Sequence, residues 1–380
     1  MKTFNRFSGR FSKVEPLPVG THHLQATQDD KPYRIHLRLE KDGSGILILN
    51  AATVLQLNPT AAECALHFIK NTAPEEAAKQ ISARYRVNKK TALHDYNNFM
   101  DQIQTLISTP DLDPVSFLDF DLTSPHSAEL TAPLRLDCAL TYRLPSNTQA
   151  EYAPTKRVDR ELTTDEWKTI LEKAWTAGIP HITFTGGEAT LRDDLPNLIS
   201  HAEGLGQVCG LLTDGLKLSD KKYFDLLLKT GLDHILFILQ PDNKESWAAL
   251  ETIMPQDIFV TVHLTLNKDN VTNAEQILGQ LANLKVNSLS LTTSDTSLYE
   301  TYNTLRNRAA DLGLSLKVDL PVPYSANHPV AFETSEDNIA EGAGKAWLYV
   351  EPDGDVLPMQ GKADKIMGNF LHDDWKTIHS

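Results

Sequence analysis

Residues 181–195 read HITFTGGEATLRDDL, and the part that could do chemistry is Thr185-Gly186-Gly187-Glu188. Two consecutive glycines bare the backbone and let another group come close to it. A glutamate beside them can accept hydrogen bonds from an ammonium. The Gly-Gly-Glu triplet within it also makes a tight strand-to-helix turn, so alone it does not define a site. The chain has three cysteines, Cys64, Cys138 and Cys209. Spaced so widely, they form no local all-cysteine iron–sulfur motif. Of the 13 histidines, His22 and His23 are adjacent, and neither helix nor strand turns neighbours to one face. His263 sits in an apolar run and is expected to be a satisfied core residue rather than a ligand, so no metal site is expected. Gly-x-Ser-x-Gly, P-loop and His-Glu-x-x-His motifs are missing from the sequence.

The elements that must position this triplet follow from periodicity. From residue 134 onward, apolar runs of strand length alternate with helical patterns. The strands are expected at 134–140, 181–185, 207–213, 234–239, 258–266 and 286–291. Helices are expected at 163–178, 193–205, 219–231, 244–253, 273–284 and 296–313, with Gly178, Gly231 and Gly313 at helix stops. A six-fold β-α repeat predicts a parallel sheet or partial barrel whose working face is the C-terminal end of the strands, and the triplet ends the second strand. The tail AWLYVEPDGDVLPM (346–359) reads as a hairpin turning at Asp-Gly.

The first part of the chain has a different rhythm. Strands are expected at 33–40, 45–50 and 53–58, followed by helices at 60–70, 74–85 and 89–107. Thr60 with Glu63 three residues on is a capping-box pattern, and Pro74 suits a first helical turn. Three strands and three helices predict a small winged-helix-like α+β domain. Residues 108–133 hold four prolines and no sustained period, which is the composition of a linker.

Length and charge set outer limits. A chain of 380 residues exceeds one typical core, so two or three domains are expected. No apolar run has bilayer-spanning length, the N-terminus lacks a secretory signal pattern, and three scattered cysteines suit a reducing cytoplasm. Residues 1–110 carry a charge of +4 and the remainder −18. That acidic body makes nucleic acid an unfavourable partner.

In order and spacing, residues 134–319 resemble the radical S-adenosylmethionine (SAM) family. TFTGGEATLRDDLPNLISHAEGLG matches the family's second-strand signature, and LLTDGLKLS (211–219) matches the third, where Thr-Asn-Gly is usual. The resemblance implies a vestigial SAM site at Gly186, Gly187 and Glu188, joined by Thr213 and by Asp214, which departs from the usual asparagine. In the family the first strand ends in a Cys-x3-Cys-x2-Cys loop that holds a 4Fe–4S cluster. By this resemblance Cys138 stands at the first cluster position, and the next two hold Tyr142 and Pro145, neither of which supplies a thiolate. EPDGDVLPM, with GNF at 368–370 and Trp375, resembles the C-terminal extension of peptide-modifying members. Met359 stands where a cysteine usually follows the hairpin. The implied protein is a pseudoenzyme with no catalytic residue and no 4Fe–4S cluster, in which residual SAM binding stays open.

Residues 33–107 resemble the PqqD-like peptide recognition element, through GILILNAATVLQLNPTAAECALHFI. In that family a leader peptide adds as a strand beside the third strand and packs on the third helix. The resemblance implies peptide contacts at Val54, Gln56 and Leu57 on the strand edge and at Tyr96, Phe99 and Ile103 on the helix face. The same apolar residues also suit a simple core.

The expected fold is α/β: a partial (β/α)6 radical-SAM-type barrel at 134–319, preceded by an N-terminal extension at 1–32, the small PqqD-like winged-helix α+β domain at 33–107 and the linker at 108–133. A truncated SPASM- or twitch-like extension with a short hairpin follows at 320–380. The expected function is non-catalytic binding of a precursor (leader) peptide, a partner modifying enzyme or a second copy of the chain, in the cytoplasm and away from membranes. Two alternatives stand beside it. One is an enzyme acting on SAM or a small ligand without a cluster, or with unrecognised cluster ligands. The other is a winged-helix DNA-binding regulator, although Asp95 and Asp101 make the third helix a poor recognition helix.

Overall fold

Apolar residues on three neighbouring strands give the first part of the chain a sheet with one face for helices. The protein is described by a computed structural model over residues 16–28, 31–49, 53–109, 130–145, 150–317, 320–333 and 339–379. It divides into two compact units, Met1–Thr131 and Ala132–Ser380.

The first unit is an antiparallel sheet in the order β1 (Gly20–Gln28), β2 (Lys31–Leu39), β3 (Gly45–Leu49), β4 (Thr53–Leu57). Helices α1 (Pro59–Ile69), α2 (Pro74–Tyr85) and α3 (Lys89–Ser108) follow. Leu37, Leu47 and Leu55 stand side by side in the strand register and join the buried cluster that includes Ala61 and Ile81 from the helices. β1 lies within the stretch assigned from sequence to an N-terminal extension. Its residues, GTHHLQATQ, show almost no apolar alternation, and a nine-residue pairing with β2 fixes it. The cap of α1 is Asn58, whose side chain accepts from the Ala61 N–H at 3.0 Å, not Thr60. Pro59 at the first helical position, with its fixed φ and no N–H to satisfy, sets the start one residue earlier. Glu63 is spent on Arg84 of α2, at 2.9 Å, instead of a capping box. Most of the expected linker lies outside the described residues. At its end, the Thr131 N–H and hydroxyl donate to Glu40 at 2.9 and 2.5 Å.

The second unit carries six parallel strands that neighbour one another in chain order: β5 (Arg135–Thr141), β6 (His181–Gly186), β7 (Val208–Thr213), β8 (His234–Ile238), β9 (Phe259–Thr265) and β10 (Ser288–Thr292). Helices α4 (Thr164–Ala177), α5 (Leu195–Leu205), α6 (Lys221–Lys229), α7 (Lys244–Ile253) and α8 (Ala274–Asn283) connect them, and α9 (Tyr299–Asp311) follows β10. Thr163 and Glu166 form the capping box that opens α4, and Gly178 closes it. Leu136, Leu140, Phe184 and Val262 pack with Trp167 and Ile170 of α4 in one buried cluster on the helix side. The opposite face carries Asp137, Thr183 and His263, and β5 and β10, at opposite ends of the six, line one cavity. The sheet is therefore curled, as a partial barrel requires.

The tail extends this sheet past β5. β11 (Trp347–Val350) pairs parallel to β5, and β12 (Asp355–Leu357) and β13 (Gly368–Asn369) add antiparallel strands. The β11–β12 turn is the expected Asp353-Gly354. Between α9 and β11, a strap at 320–333 crosses the inner face, with Val322 packed on Leu212, Leu236 and Ile238. The short C-terminal helix α10 (Trp375–Ile378) closes the chain. Among the described residues, no helix is long and apolar enough to cross a membrane.

Lys173 of α4 ties down the last segment, its ammonium donating to the Leu371 and Phe370 carbonyls at 2.7 and 3.1 Å. Hydrogen bonds to a charged group contribute about 1.5–3 kcal/mol. Lys173→Met keeps the stem and removes the donor. Hydrogen exchange of amides in 370–379 is expected to rise about tenfold or more, with exchange in β5–β10 unchanged.

Candidate functional site

β6 delivers Thr185-Gly186-Gly187-Glu188 to the C-terminal edge of the sheet, as its position in the alternating pattern requires. There the glycines meet protein, not open space. The Gly187 N–H donates to the Thr141 carbonyl at 2.8 Å and the Glu188 N–H to the Arg143 carbonyl at 2.9 Å. A Cβ at Gly186 would overlap the Thr141 carbonyl oxygen, and one at Gly187 the Arg143 carbonyl oxygen. Gly186 also has φ +129°, a conformation other residues avoid. The close approach that the sequence offered to a ligand is taken by the segment that follows β5.

Glu188 is 4% exposed, and its carboxylate is occupied by the protein. One oxygen accepts from the Thr190 N–H at 3.0 Å, the Thr190 hydroxyl at 2.6 Å and the Thr213 hydroxyl at 2.8 Å. The other accepts from the Asp214 N–H at 2.9 Å. A carboxylate has about four acceptor positions, so these donors nearly saturate it. The side chain thus caps the turn at Ala189–Leu191 and stitches the loop after β6 to the loop after β7. Lys217 reinforces the junction, its ammonium donating to the Thr190 carbonyl at 2.6 Å.

Asp214 is the electrostatic oddity of the site. Burial, then the charge of Glu188, pushes its carboxyl up to about 7, against the Leu216 N–H that donates to it at 3.0 Å. Asp214 therefore keeps its proton to a much higher pH than a solvated aspartate does. Above them lies a cleft of about 180 Å³ lined by Leu144, Pro145, Gly187, Glu188, Asp214 and Tyr324. Gly186, Gly187, Glu188, Thr213 and Asp214 are thus brought together as the sequence expects.

The three positions matched to the family's cluster cysteines, and expected to be degenerate, differ in their surroundings. Cys138 stands mid-strand on β5, beside Phe184 and Val350, and packs into the helix-side core with no exposure. Its neighbours Asp137 and Ala139 turn the other way, so strand parity aims the thiol away from the triplet. Burial pushes that thiol well up from its ordinary value. Tyr142 is buried, donates its hydroxyl to Glu351 at 2.8 Å and meets Tyr324 edge-on at 5.4 Å. Of the three, only Pro145 lines the cleft. Cys209 is buried on β7 and Cys64 in the first unit.

The helix-face half of the expected peptide site is buried. Tyr96, Phe99 and Ile103 lie in the core of the first unit, between 0% and 3% exposed, because helical spacing marks a helix's buried face. Leu57 joins them at 3%. Val54, 44% exposed, and Gln56, half-buried, share the opposite face of β4. Among the described residues β4 pairs only with β3, so it is an edge strand.

Sequence reasoning missed Thr190 and the strap. Thr190 follows two residues after Glu188, a spacing at which a hydroxyl and N–H meet a capping carboxylate. The strap is pinned at Tyr324, whose N–H donates to the Gly186 carbonyl at 2.9 Å. Its hydroxyl bonds Glu333, which Arg157 also grips at 3.0 and 3.2 Å while donating to Glu351 at 2.7 Å.

Parallel strands and connecting helices define an α/β protein, and comparison with known proteins adds a family match over part of the chain. Residues 138–259 match the Radical SAM superfamily, so a radical SAM domain is present. The chain is homologous to PqqA peptide cyclases. It is 27% identical to that of Streptomyces rochei over 257 residues, covering 60% of this chain and 69% of the relative. It is also 27% identical to that of Xanthomonas oryzae pv. oryzae over 292 residues, covering 64% and 74%. Streptococcus suis SuiB shares the fold at TM-score 0.58 and 15% identity, covering 94% of this chain and 88% of SuiB. SuiB has been solved with S-adenosylmethionine and with its precursor peptide SuiA.

Two variants test this geometry. Gly187→Ala sets a methyl against a backbone carbonyl and is expected to cost about 1–3 kcal/mol in chemical denaturation. For Asp214 the native state holds a proton that the unfolded chain releases near pH 4, so stability falls as pH rises from about 4 to about 7. Asp214→Asn is expected to flatten that fall and to gain on the order of 1–3 kcal/mol at pH 8. Denaturation midpoints at pH 5 and pH 8 check both signs.

Proposed function

We propose that this chain is a non-catalytic relative of radical SAM peptide-modifying enzymes that binds a precursor peptide through the edge strand β4 of its first unit. One observation carries the reading: among the described residues, no thiol reaches the cleft at Gly-Gly-Glu, where Leu144 and Pro145 stand on the segment after β5. A 4Fe–4S cluster is held by thiolates. Here Cys64 lies in the other unit, Cys138 faces the helix layer and Cys209 is buried on β7 with its Sγ 3.8 Å from the Ile199 and Gln207 carbonyls. This donor set does not fit such a cluster, and no step of the reading passes through one.

The SAM site reads as vestigial on the same grounds. Glu188 is spent on Thr190, Thr213 and Asp214, and the cleft of about 180 Å³ falls below the roughly 300–1,000 Å³ of ordinary ligand pockets. The peptide-binding half draws on the relatives. SuiB, whose fold this chain shares, binds a precursor peptide, and the homologues in Streptomyces and Xanthomonas are peptide cyclases. A PqqD-like role for the first unit is supported by the place of β4 at the end of its sheet among the described residues and by the exposed Val54 side chain on it. Leu57, Tyr96, Phe99 and Ile103 contribute by holding that edge in place. A cytoplasmic setting, where thiols stay reduced, suits three free cysteines.

The test is a fluorescence-anisotropy titration of the full chain with a labelled precursor peptide. Saturable binding is expected, and Val54→Asp should weaken it about tenfold or more without moving the melting temperature. No binding, or affinity indifferent to Val54→Asp, would sink the peptide-binding reading.

A further inference from the structure

We propose that a second cavity in the curled sheet, separated from the Gly-Gly-Glu cleft by Tyr324, binds a small neutral aromatic ligand carrying one hydroxyl, of the phenol class. The cavity holds about 220 Å³ and lies between β5, β10, β11 and the strap. It does not rest on the state of the Gly-Gly-Glu cleft.

The lining selects against charge. Arg135 and Asp137 form a two-point pair at 2.9 and 3.1 Å, the guanidinium lying 5.4 Å from the Trp347 ring centre. Glu333 is taken by Arg157 and the Tyr324 hydroxyl. Gln360 uses both ends of its amide on the Val322 backbone, at 3.1 and 2.9 Å, and Thr292 meets His263 at 3.2 Å. An ionic ligand would have to break one of these pairs or be buried unpaired, and both are unfavourable.

Among the described lining residues, His328 Nδ1 is the buried side-chain nitrogen with no hydrogen-bond partner. Burial pushes this imidazole down to about 4, so it is neutral at physiological pH, with one ring nitrogen donating and the other accepting. A hydroxyl both donates and accepts, so it can satisfy Nδ1 in either tautomer. Phe332, edge-on to His328 at 5.7 Å, together with Trp347 and Tyr324, offers ring surfaces that favour an aromatic body. The volume suits a single ring rather than a drug-sized molecule.

Calorimetric titration of the full chain with 4-methylphenol and with toluene tests the assignment. 4-Methylphenol is expected to bind one to one, roughly fivefold tighter than toluene, as one neutral hydrogen bond allows. His328→Phe should erase that preference while toluene still binds. Met359→Trp, which fills the cavity, should abolish both, with thermal melts confirming that each variant folds. N-acetyltyrosinamide separates the sources: binding like 4-methylphenol assigns the site to a tyrosine side chain, and failure to bind assigns it to a free phenol. No saturation with 4-methylphenol, equal affinity for toluene, a preference that survives His328→Phe, or undiminished binding to folded Met359→Trp would overturn the proposal.

Discussion

The backbone of Thr141–Arg143 lies so close to Gly186 and Gly187 that no side chain fits between them, and the arrangement at the strand ends depends on that approach. Paired N–H donors from Gly187 and Glu188 fix the segment after β5 against the loop after β6. Once Glu188 is fixed, its carboxylate gathers Thr190, Thr213 and the Asp214 N–H, which locks the loop after β7 to the same point. The Gly186 carbonyl, turned outward, then receives the Tyr324 N–H and anchors the strap. A motif with the composition of a ligand site here works as a structural junction of three loops.

The strap depends on charge buried with its partners. Arg157 bridges Glu333 from the strap and Glu351 from the end of β11, and Tyr142 and Tyr324 supply hydroxyls to the same two carboxylates. Such a network is satisfied only when every member is in place, which favours one arrangement of the tail over many. Removing Arg157 would leave the buried Glu351 without its cation, a costlier change than losing one of the tyrosine hydroxyls. The inner face of the sheet is divided by Tyr324 into two cavities, one against the Gly-Gly-Glu junction and one against Trp347 and His328.

Much of this was legible in the sequence because it is local. The six parallel strands fall within a residue or two of their apolar runs, and Asp353-Gly354 marks the tail hairpin. Gly-Gly-Glu and Thr213-Asp214 announced a shared place at the strand ends. What was harder to read turned on parity and on long range. Leu136, Cys138 and Leu140 alternate with Asp137, Ala139 and Thr141, a period-two pattern that already aims Cys138 at the helices, away from any cluster loop. Tyr96, Phe99 and Ile103 carried a helical period, which reports the buried face and says nothing of a ligand. β1 is too polar to read as a strand without its partner β2. The strap, PVPYSANHPV at 321–330, has no period, and its course is set by contacts with residues far away in sequence.

The central proposal is that this radical SAM domain holds its Gly-Gly-Glu for structure and carries no cluster. Iron and acid-labile sulfide, measured after strictly anaerobic purification and reconstitution and read with a visible absorption spectrum, test it most directly. The account predicts substoichiometric iron and no sulfide-to-iron charge-transfer band. About four irons and four sulfides per chain would contradict it, because thiolates or other donors would then have to reach a site that the fold assigns to Leu144 and Pro145.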